Sequence, residues 1–557
     1  MSRVPSLPEP HEPQTKQPTQ AADPVSLTAP FRVTAFLAIW IASVISNIGT
    51  AMQGVGATWL MFAADSRPVM VAALQAASTL PMFIFGLPAG VFADIVDRRK
   101  LLLWSSAWMV LVSVAMCAAA YLGQLSPEGL IAGTFALGVG AAMTAPAFQA
   151  VVPDLVPSNL LTPAVTLNGI GNNVARTLGP ALGGVVVGVA GAAATFGINA
   201  LSTLVVLAAL WSWRQTSRSS RLPPEHFLSA LRASVRYVGS ARGIRVVLLR
   251  ATLFFAFASA FNALLPLVVN KQLGLGADGF GLLLGAVGVG SVGGALLLSK
   301  LRARLGIERL TAGGTALAGV TTIGLALSSN AWLATVAAAL FGAGWIANLT
   351  LLNVGVQNTV AGWVRARMLA MYVMTFMGVS AAGSLLWGYL AQTWSLQASL
   401  LCAGVLQLVS LAVVWRLPFV DSATLDLRPA PFVDEQLVLD PEHDLEPVLV
   451  TVEYRVVEEN AEQFSYALWG LEEARRRAGA MTWRHWRDQS DRSIHRESFA
   501  VESWTDYLRL TPRTTFVDQQ LEAAVQALVM PGTTPHVRLF RGAGRYRGAA
   551  PAQPTQL

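Results

Sequence analysis

The chain contains 557 residues, of which 54% are hydrophobic and only 13% are charged, whereas soluble domains typically carry about 25% charged residues. This composition excludes a wholly soluble protein. The net charge of +7 does not indicate a nucleic-acid partner, because most of the basic excess lies beside long apolar stretches, where it reports membrane topology. Cys117 and Cys402 lie within such stretches and provide neither a disulfide framework nor a metal site.

Residues 1–30 contain seven prolines and almost no apolar run, which predicts a disordered tail and not a signal peptide. Between residues 33 and 416 the chain divides into twelve apolar stretches, and about 20 apolar residues suffice to cross a bilayer as a helix. Their approximate limits are 33–63, 69–93, 101–122, 129–150, 164–189, 192–213, 245–270, 278–299, 308–328, 331–355, 368–391 and 396–416. We therefore predict an all-α membrane protein with twelve transmembrane helices in the lipid bilayer.

The basic residues of the connecting loops are distributed unevenly. Sixteen lysines and arginines lie in the loops on one side of the predicted helices, and only Arg67 and Lys271 lie on the other. Basic loops face the cytoplasm. The sequence thus predicts a multi-pass protein of the bacterial inner membrane with both termini in the cytoplasm.

The longest internal loop, 214–244, separates a half at 31–213 from a half at 245–417. Within this loop, 227–238 combines apolar residues at helical spacing with arginines, which predicts an amphipathic helix on the cytoplasmic surface. A shift of 204 positions brings three residues of the first half onto identical residues of the second, pairing Gly86 with Gly290, Gly90 with Gly294 and Arg98 with Arg302. We predict two six-helix repeats around a central cavity.

A glycine, two acids and a basic cluster follow one another at the end of the second stretch. The residues are Gly90, Asp94, Asp97, Arg98 and Arg99. Glycine permits close helix approach, and a carboxylate can pair with arginines or with a helix N-terminus. The pattern resembles the loop between helices 2 and 3 of the major facilitator superfamily, although Ile95 occupies the position of a usual basic residue. The resemblance implies a conformational latch; an ordinary anchoring loop is the alternative.

The fifth stretch contains the run Gly179-Pro180-Ala-Leu-Gly183-Gly184. Proline frees a carbonyl group and bends a helix, and small residues let a neighbouring helix pack closely. The run resembles the helix-5 motif of antiporters in the same superfamily, which implies a role of its glycines and proline in the conformational change. A kinked helix that serves only packing is the alternative.

Arg176 is the only strongly ionised side chain well inside a stretch of the first half, and burying it costs several kcal/mol unless it meets a cavity, water or a partner. We predict that Arg176 faces a cavity with Asn172 and Asn173 and contacts an anionic or catecholate substrate. The alternative is an arginine bonded to backbone carbonyls at the cytoplasmic end. Further cavity candidates are polar or aromatic residues within the stretches: Asn47, Gln53, Asn262, Trp345, Asn348, Asn353 and Trp387.

The runs Phe148-Gln149-Ala-Val-Val-Pro153-Asp154-Leu and Val364-Arg365-Ala-Arg367-Met extend the resemblance, over about residues 30–420, to the enterobactin-exporter-like branch of the superfamily. This resemblance implies export of small amphipathic molecules, such as siderophores or drugs, by alternating access and driven by protons. It implies no enzymatic activity and no cofactor. No acid lies mid-stretch in the first, fourth, seventh or tenth stretch, which leaves Asp94 and Asp154 as proton carriers.

Residues 418–446 are acidic and punctuated by prolines, which predicts a linker. Strand-like and helix-like periodicities then alternate over 447–542 in the order βαββαβ, with the second helix at 503–528. This order predicts a small cytoplasmic α+β domain of the ferredoxin-like type. Residues 543–557 form a second predicted disordered tail.

Two runs of this domain, 477–483 and 502–504, resemble the antibiotic-biosynthesis-monooxygenase-like domain, whose members pair through their sheets. The resemblance implies dimerisation through 447–542, and a pocket for a flat ligand lined by Trp483, His485, His495 and Trp504. We favour a structural or regulatory role over catalysis. Two alternatives for the whole chain are therefore a membrane-tethered, cofactor-free monooxygenase and a ligand sensor built on a transporter fold.

Overall fold

A computed structural model describes residues 26–213, 235, 237–419, 446–508 and 510–542. Most of the predicted central loop and linker, and nearly all of both predicted tails, lie outside the described residues. A 3-10 helix, Ala29–Arg32, begins inside the segment predicted as the first tail, and its Phe31 ring packs edge-on against Trp40 with the centroids 4.9 Å apart.

The membrane portion consists of long helices with bounds within a few residues of the predicted stretches. The first half contains α1 Thr34–Ala64, α2 Pro68–Ile95, α3 Arg98–Tyr121, α4 Pro127–Leu155, α5 Leu161–Ala190 and α6 Ala192–Ser212. The second half contains α7 Arg242–Leu267, a π-helical turn Val268–Gln272, the segment Ala277–Leu327, α10 Ala331–Thr359, α11 Arg365–Thr393 and α12 Leu396–Arg416.

The segment Ala277–Leu327 is broken at Gly306, whose φ of +76° is left-handed backbone that favours glycine. We label its parts α8 (277–305) and α9 (307–327). A straight helix would hold Val287 and Gly314 about 40 Å apart, yet they contact Gly342 and Gly344, which are neighbours on α10. The chain therefore reverses at Gly306, and α8 and α9 form a hairpin.

Eleven helices of the described chain are long and apolar enough to cross a membrane, and Ala277–Leu327 counts as one of them. This segment covers two of the predicted stretches. The connections after α2, α4, α6 and α10 lie on the side where α1 begins. We call this side the basic side, because it carries Arg98, Arg99 and Arg365.

The two halves meet along two seams, in which α2 packs against α11 and α5 packs against α8. Glycines allow this approach near the ends that lie away from the basic side. A methyl group on Gly184 of α5 would lie 2.8 Å from the carbonyl oxygen of Ala277, and one on Gly388 of α11 would lie 3.0 Å from that of Pro68. Backbones therefore touch at both seams on the side opposite the basic side.

The C-terminal domain contains β1 Val448–Arg455, α13 Ala461–Ala478, β2 Thr482–Arg487, β3 Ile494–Val501, α14 Trp504–Leu508, α15 Leu510–Arg513, α16 Phe516–Gln526 and β4 His536–Arg541. Its antiparallel sheet has the order β2-β3-β1-β4. The predicted helix at 503–528 is wrong as one element, since the structure interrupts it at Thr514 and Thr515. Thr515 and Asp518 form a capping box that begins α16 separately.

The domain contacts the membrane portion on the basic side. The guanidinium group of Arg513 lies 4.4 Å from the ring centroid of Trp363, in the loop between α10 and α11. Trp363 packs edge-on against Tyr237, whose hydroxyl accepts a hydrogen bond of 3.2 Å from the backbone N–H of Ala361. This contact joins the domain to the second half.

Candidate functional site

A cavity of about 280 Å³ lies between the two halves, and we call it the central cavity. Its walls come from α2 and α5 of the first half and from α7, α8, α10 and α11 of the second. The lining includes Gln75, Thr79, Asn173, Arg176, Thr177, Ser259, Asn262, Ser291, Phe341, Trp345, Phe376, Ser380 and Ser384. Both seam helices of the first half therefore contribute to it.

Arg176 is the one ionisable residue among those that line the central cavity. Its side chain is exposed to the cavity, and it makes no hydrogen bond or ion pair with any residue that the structure describes. A guanidinium group inside the membrane requires water or an anion. The central cavity thus presents a positive charge that has no counter-charge among its lining residues.

The glycine motif of α5 determines where Arg176 lies. Methyl groups on Gly179 and Gly183 would lie 2.5 Å from Ala51 Cβ and 2.9 Å from Met52 Cα, so this face of α5 packs on α1. Gly184 packs on α8, and Pro180 lines the cavity. Since α5 is in contact on both sides, Asn173 and Arg176 are directed into the space between the halves.

Aromatic rings and hydroxyl groups form the remaining wall of the central cavity. Trp345 lies within 6 Å of Phe255, Phe341 and Phe376 by ring centroids. On α11 the hydroxyl of Ser380 is buried without a partner in the described structure. An amphipathic molecule with an anionic group would find an apolar surface, hydroxyl groups and one cation.

A second cavity, of about 640 Å³, lies inside the first half, and we call it the bundle cavity. Asn47 and Asn172 line it and are joined by a hydrogen bond of 2.9 Å from Nδ2 of Asn47 to Oδ1 of Asn172. The predicted group of Asn172, Asn173 and Arg176 is therefore divided, because the consecutive residues 172 and 173 face different cavities.

Four other predicted cavity residues do not line either described cavity. Gln53 is buried between α1, α3 and α6, where its Oε1 accepts hydrogen bonds from Asn199 and Ser113. Asn348 is buried and accepts from Thr315 at 3.2 Å, and Trp387 donates to the carbonyl of Ala256 at 2.7 Å. Asn353 accepts from Gln357 of its own helix at 2.8 Å. Gln53, Asn348 and Trp387 therefore join helices, whereas Asn353 bonds within its own helix.

The predicted latch residues lie at the basic side. Asp97 caps α3 by accepting from the N–H of Lys100, and Arg98 approaches Asp154 at 3.3 Å. Arg99 donates to the carbonyls of Leu210 and Trp211 at the end of α6. The side chains at positions 90 and 94 lie outside the described residues.

The sequence reasoning missed a polar centre in the second half. Arg250 of α7 is buried and pairs with Glu308 at the start of α9, while it also donates to the carbonyls of Val414 and Leu417 at the end of α12. Its guanidinium lies 4.1 Å from the ring centroid of Phe419. The signal was present, since Arg250 falls inside the predicted stretch 245–270.

In the C-terminal domain, Trp483, His495 and Glu497 are buried. Glu497 accepts hydrogen bonds from Trp483 at 2.9 Å, Tyr454 at 3.1 Å and Arg475 at 3.2 Å. His485 and His495 stack and share a hydrogen bond of 2.9 Å. Burial lowers the pKa of both imidazoles, that of His495 to about 4.

Trp504 does not join this cluster but stacks on Tyr507. Within the described residues, no group of three or more histidine, cysteine, aspartate or glutamate side chains is arranged to hold a metal ion.

The helices, the two seams and the cavity between the halves define the class of protein, a membrane transporter of the major facilitator fold. A solved D-xylose–proton symporter shares this fold with a TM-score of 0.58 and 14% identity, over 69% of this chain and 99% of that one. The chain belongs to the transmembrane secretion effector family, whose model matches residues 25–545.

Relatives in this family include named siderophore transporters. The chain is 23% identical to the staphyloferrin A transporter of Staphylococcus aureus, over 64% of this chain and 90% of the relative. It is 27% identical to the enterobactin exporter EntS of Citrobacter koseri, over 48% of this chain and 64% of the relative. The chain is a major facilitator transporter homologous to siderophore exporters.

Proposed function

We propose that the protein exports anionic, amphipathic small molecules of the siderophore type across the inner membrane by alternating access. The observation that carries the proposal is the unpaired guanidinium of Arg176 in the central cavity. A planar guanidinium binds carboxylates and other oxyanions through two parallel hydrogen bonds. Two of the relatives are named for staphyloferrin A and enterobactin, which supports siderophores as the substrate class.

We propose twelve transmembrane helices in two repeats, with α8 and α9 each crossing the membrane. A straight helix of 51 residues would be about 77 Å long, against a hydrocarbon core of about 30 Å. If each helix is replaced by its counterpart in the other half, six helices along the chain, the seam between α2 and α11 becomes the seam between α8 and α5. The same replacement relates the packing of α1 on α5 and α6 to that of α7 on α11 and α12, which supports the repeat.

The closed seams near Gly184 and Gly388 support an inward-facing state, if the basic side is the cytoplasmic side that the positive-inside rule predicts. Export then requires these seams to separate while the cytoplasmic ends close. Asp97, Arg98 and Arg99 would set the balance between the two states. We expect Asp94→Asn to abolish transport but to preserve substrate binding, as a conformational role requires.

Proton coupling is part of the proposal. The central-cavity lining contains no carboxylate, so the carriers would be Asp154, which approaches Arg98, and Asp94. Dissipating the proton gradient should then stop export.

We propose that the C-terminal domain is ferredoxin-like, cytoplasmic and regulatory. The strand order β4-β1-β3-β2 with helices on one face supports the fold. The stacking of Arg513 on Trp363 supports a regulatory role, because it connects the domain to the loop between α10 and α11. Dimerisation would use 447–542.

The test is uptake of iron-free enterobactin and staphyloferrin A into inverted membrane vesicles, energised by a proton gradient. Arg176→Gln should lower uptake at least tenfold, Arg176→Lys should restore part of it, and Arg67→Gln, at an exposed loop arginine, should have no effect. Equal uptake by wild type and Arg176→Gln would contradict the proposed role of Arg176.

The alternative function, a membrane-tethered monooxygenase, predicts that the activity resides in the C-terminal domain and not in the membrane helices. Removal of residues 447–557 should preserve transport if the exporter proposal is right. Oxygen consumption that disappears with this domain, in the absence of any transport, would favour the enzyme. Ligand binding without flux would favour the sensor.

A further inference from the structure

We propose that the bundle cavity is a second ligand site, which takes a neutral molecule rich in hydrogen-bonding groups. The cavity lies among α1, α3, α4, α5 and α6, on the basic-side half of the first bundle. None of its lining residues lines the central cavity. Its volume of about 640 Å³ falls within the range of small-molecule sites, about 300–1,000 Å³.

The lining determines the charge of the ligand. It contains no aspartate, glutamate, lysine, arginine or histidine. A charged ligand would lose its hydration without gaining a counter-charge. The bundle cavity therefore selects against the anions that Arg176 attracts.

Free polar groups in the cavity indicate a ligand with donors and acceptors. Ser106 is only 3% exposed, and it lines the cavity with a hydroxyl that has no hydrogen-bond partner in the described structure. The side chains of Ser43, Gln149 and Asn168 also line it and make no hydrogen bond to a described residue. These polar groups are not committed to other parts of the described structure, so a ligand that bonds them gains hydrogen bonds without breaking any within the protein.

Apolar surfaces complete the site. Phe148, Met109 and Trp40 lie among the lining residues, and the indole N–H of Trp40 is already committed to the carbonyl of Leu167 at 3.0 Å. The site therefore fits an aromatic amide or phenol better than a sugar.

Gly169 provides a way to fill this cavity alone. It lines the bundle cavity, and a methyl group added to it would meet no atom within 4 Å. Gly188 lies on the same helix and has equally open surroundings, but it lines neither cavity. Both variants introduce a leucine side chain on α5, but only Gly169→Leu places it in the bundle cavity. Gly188→Leu is therefore the matched control.

The experiment uses two fluorescent probes of one shape, neutral 6-hydroxy-2-naphthamide and anionic 6-hydroxy-2-naphthoate, with the purified full chain. We expect Gly169→Leu to raise the Kd of the amide at least tenfold, while Gly188→Leu and Arg176→Gln leave it unchanged. Naphthoate should depend on Arg176 and bind normally to Gly169→Leu, which also demonstrates that the variant is folded.

The proposal would be overturned by unchanged amide affinity in Gly169→Leu, by an equal loss of amide affinity in Gly188→Leu, or by loss of amide binding in Arg176→Gln. A bound phospholipid that the amide cannot displace would also overturn it. If Gly169→Leu does not fold, the pair Ser106→Val and Asn168→Leu serves instead, with the same expected loss of amide binding. If the wild-type protein does not bind naphthoate, this result contradicts the proposed role of Arg176 in binding anions but not the proposed ligand site in the bundle cavity.

Discussion

Arg250 and Arg176 both lie within long apolar helices, but their surroundings are opposite. Arg250 has a carboxylate partner, two carbonyl acceptors and an aromatic ring, and it is almost completely buried. Arg176 faces a cavity and has no partner in the described structure. A buried cation whose bonds are all made within the protein stabilises the fold, and one whose bonds are left open is available to a ligand.

The same substitution at both arginines should separate these roles. Arg250→Met removes the ion-pair partner of Glu308 and the donor to the carbonyls at the end of α12. Because the Glu308 side chain is 37% exposed, we expect a cost below that of breaking a fully buried ion pair, which is about 3–5 kcal/mol. Thermal unfolding in detergent should show a much lower midpoint for Arg250→Met than for Arg176→Met. Similar midpoints for the two variants would remove the structural distinction.

His495 in the C-terminal domain is a third case, a buried side chain with one ring nitrogen that has no hydrogen-bond partner in the described structure. This nitrogen is Nε2, and burial, with His485 and Arg487 nearby, lowers the pKa of His495 to about 4. Below pH 6.5 the unfolded chain therefore binds a proton that the folded domain does not, so stability falls as pH drops from 6.5 to 4, by about 3 kcal/mol.

Hydrogen exchange of β1 and β3 peptides in the full chain, corrected for the intrinsic effect of pH, measures this loss. His495→Phe should reduce the pH dependence over this window to the part contributed by His485, whose pKa is also lowered by burial. A dependence that persists undiminished in His495→Phe would assign it to another group.

Gln53 tests the same distinction between structural and ligand-binding roles for an uncharged side chain. Gln53→Leu would remove the acceptor of Ser113 and one of the two acceptors of Asn199, which also donates to the hydroxyl of Ser113 at 3.1 Å, at a cost of about 1–3 kcal/mol. We expect a lower unfolding midpoint with unchanged substrate affinity in the folded fraction. If Gln53→Leu instead changes the substrate affinity and leaves the unfolding midpoint at the wild-type value, Gln53 contacts the substrate.

Asn47 should give the smallest effect on stability. Its hydrogen bond to Asn172 lies at an exposed position facing the bundle cavity, and a typical net contribution is about 0.5–1.5 kcal/mol. Asn47→Ala should therefore unfold within a few degrees of wild type, as measured by the same thermal scan. A loss as large as that of Arg250→Met would show that this pair supports the fold.

The sequence by itself determined most of the long helices, the basic side and the order of the strands in the C-terminal domain. These features depend on local properties: apolar length, loop charge, and period 2 or 3.6. The charge of Arg176 also marked it as a residue that needs water or a partner, but the same signal applies to Arg250, so charge alone does not distinguish a cavity residue from a structural one. The break at Gly306 lies in the predicted connection between 278–299 and 308–328.

Only the tertiary structure decided which polar side chains line a cavity and which join helices. Gln53 and Asn173 are similar in sequence terms, but Gln53 meets α3 and α6 whereas Asn173 meets open space. The same holds for Arg250, whose partners come from α9 and α12. Such differences depend on the neighbouring helix, which is distant along the chain, so local periodicity contains no information about whether a side chain's hydrogen bonds are already made.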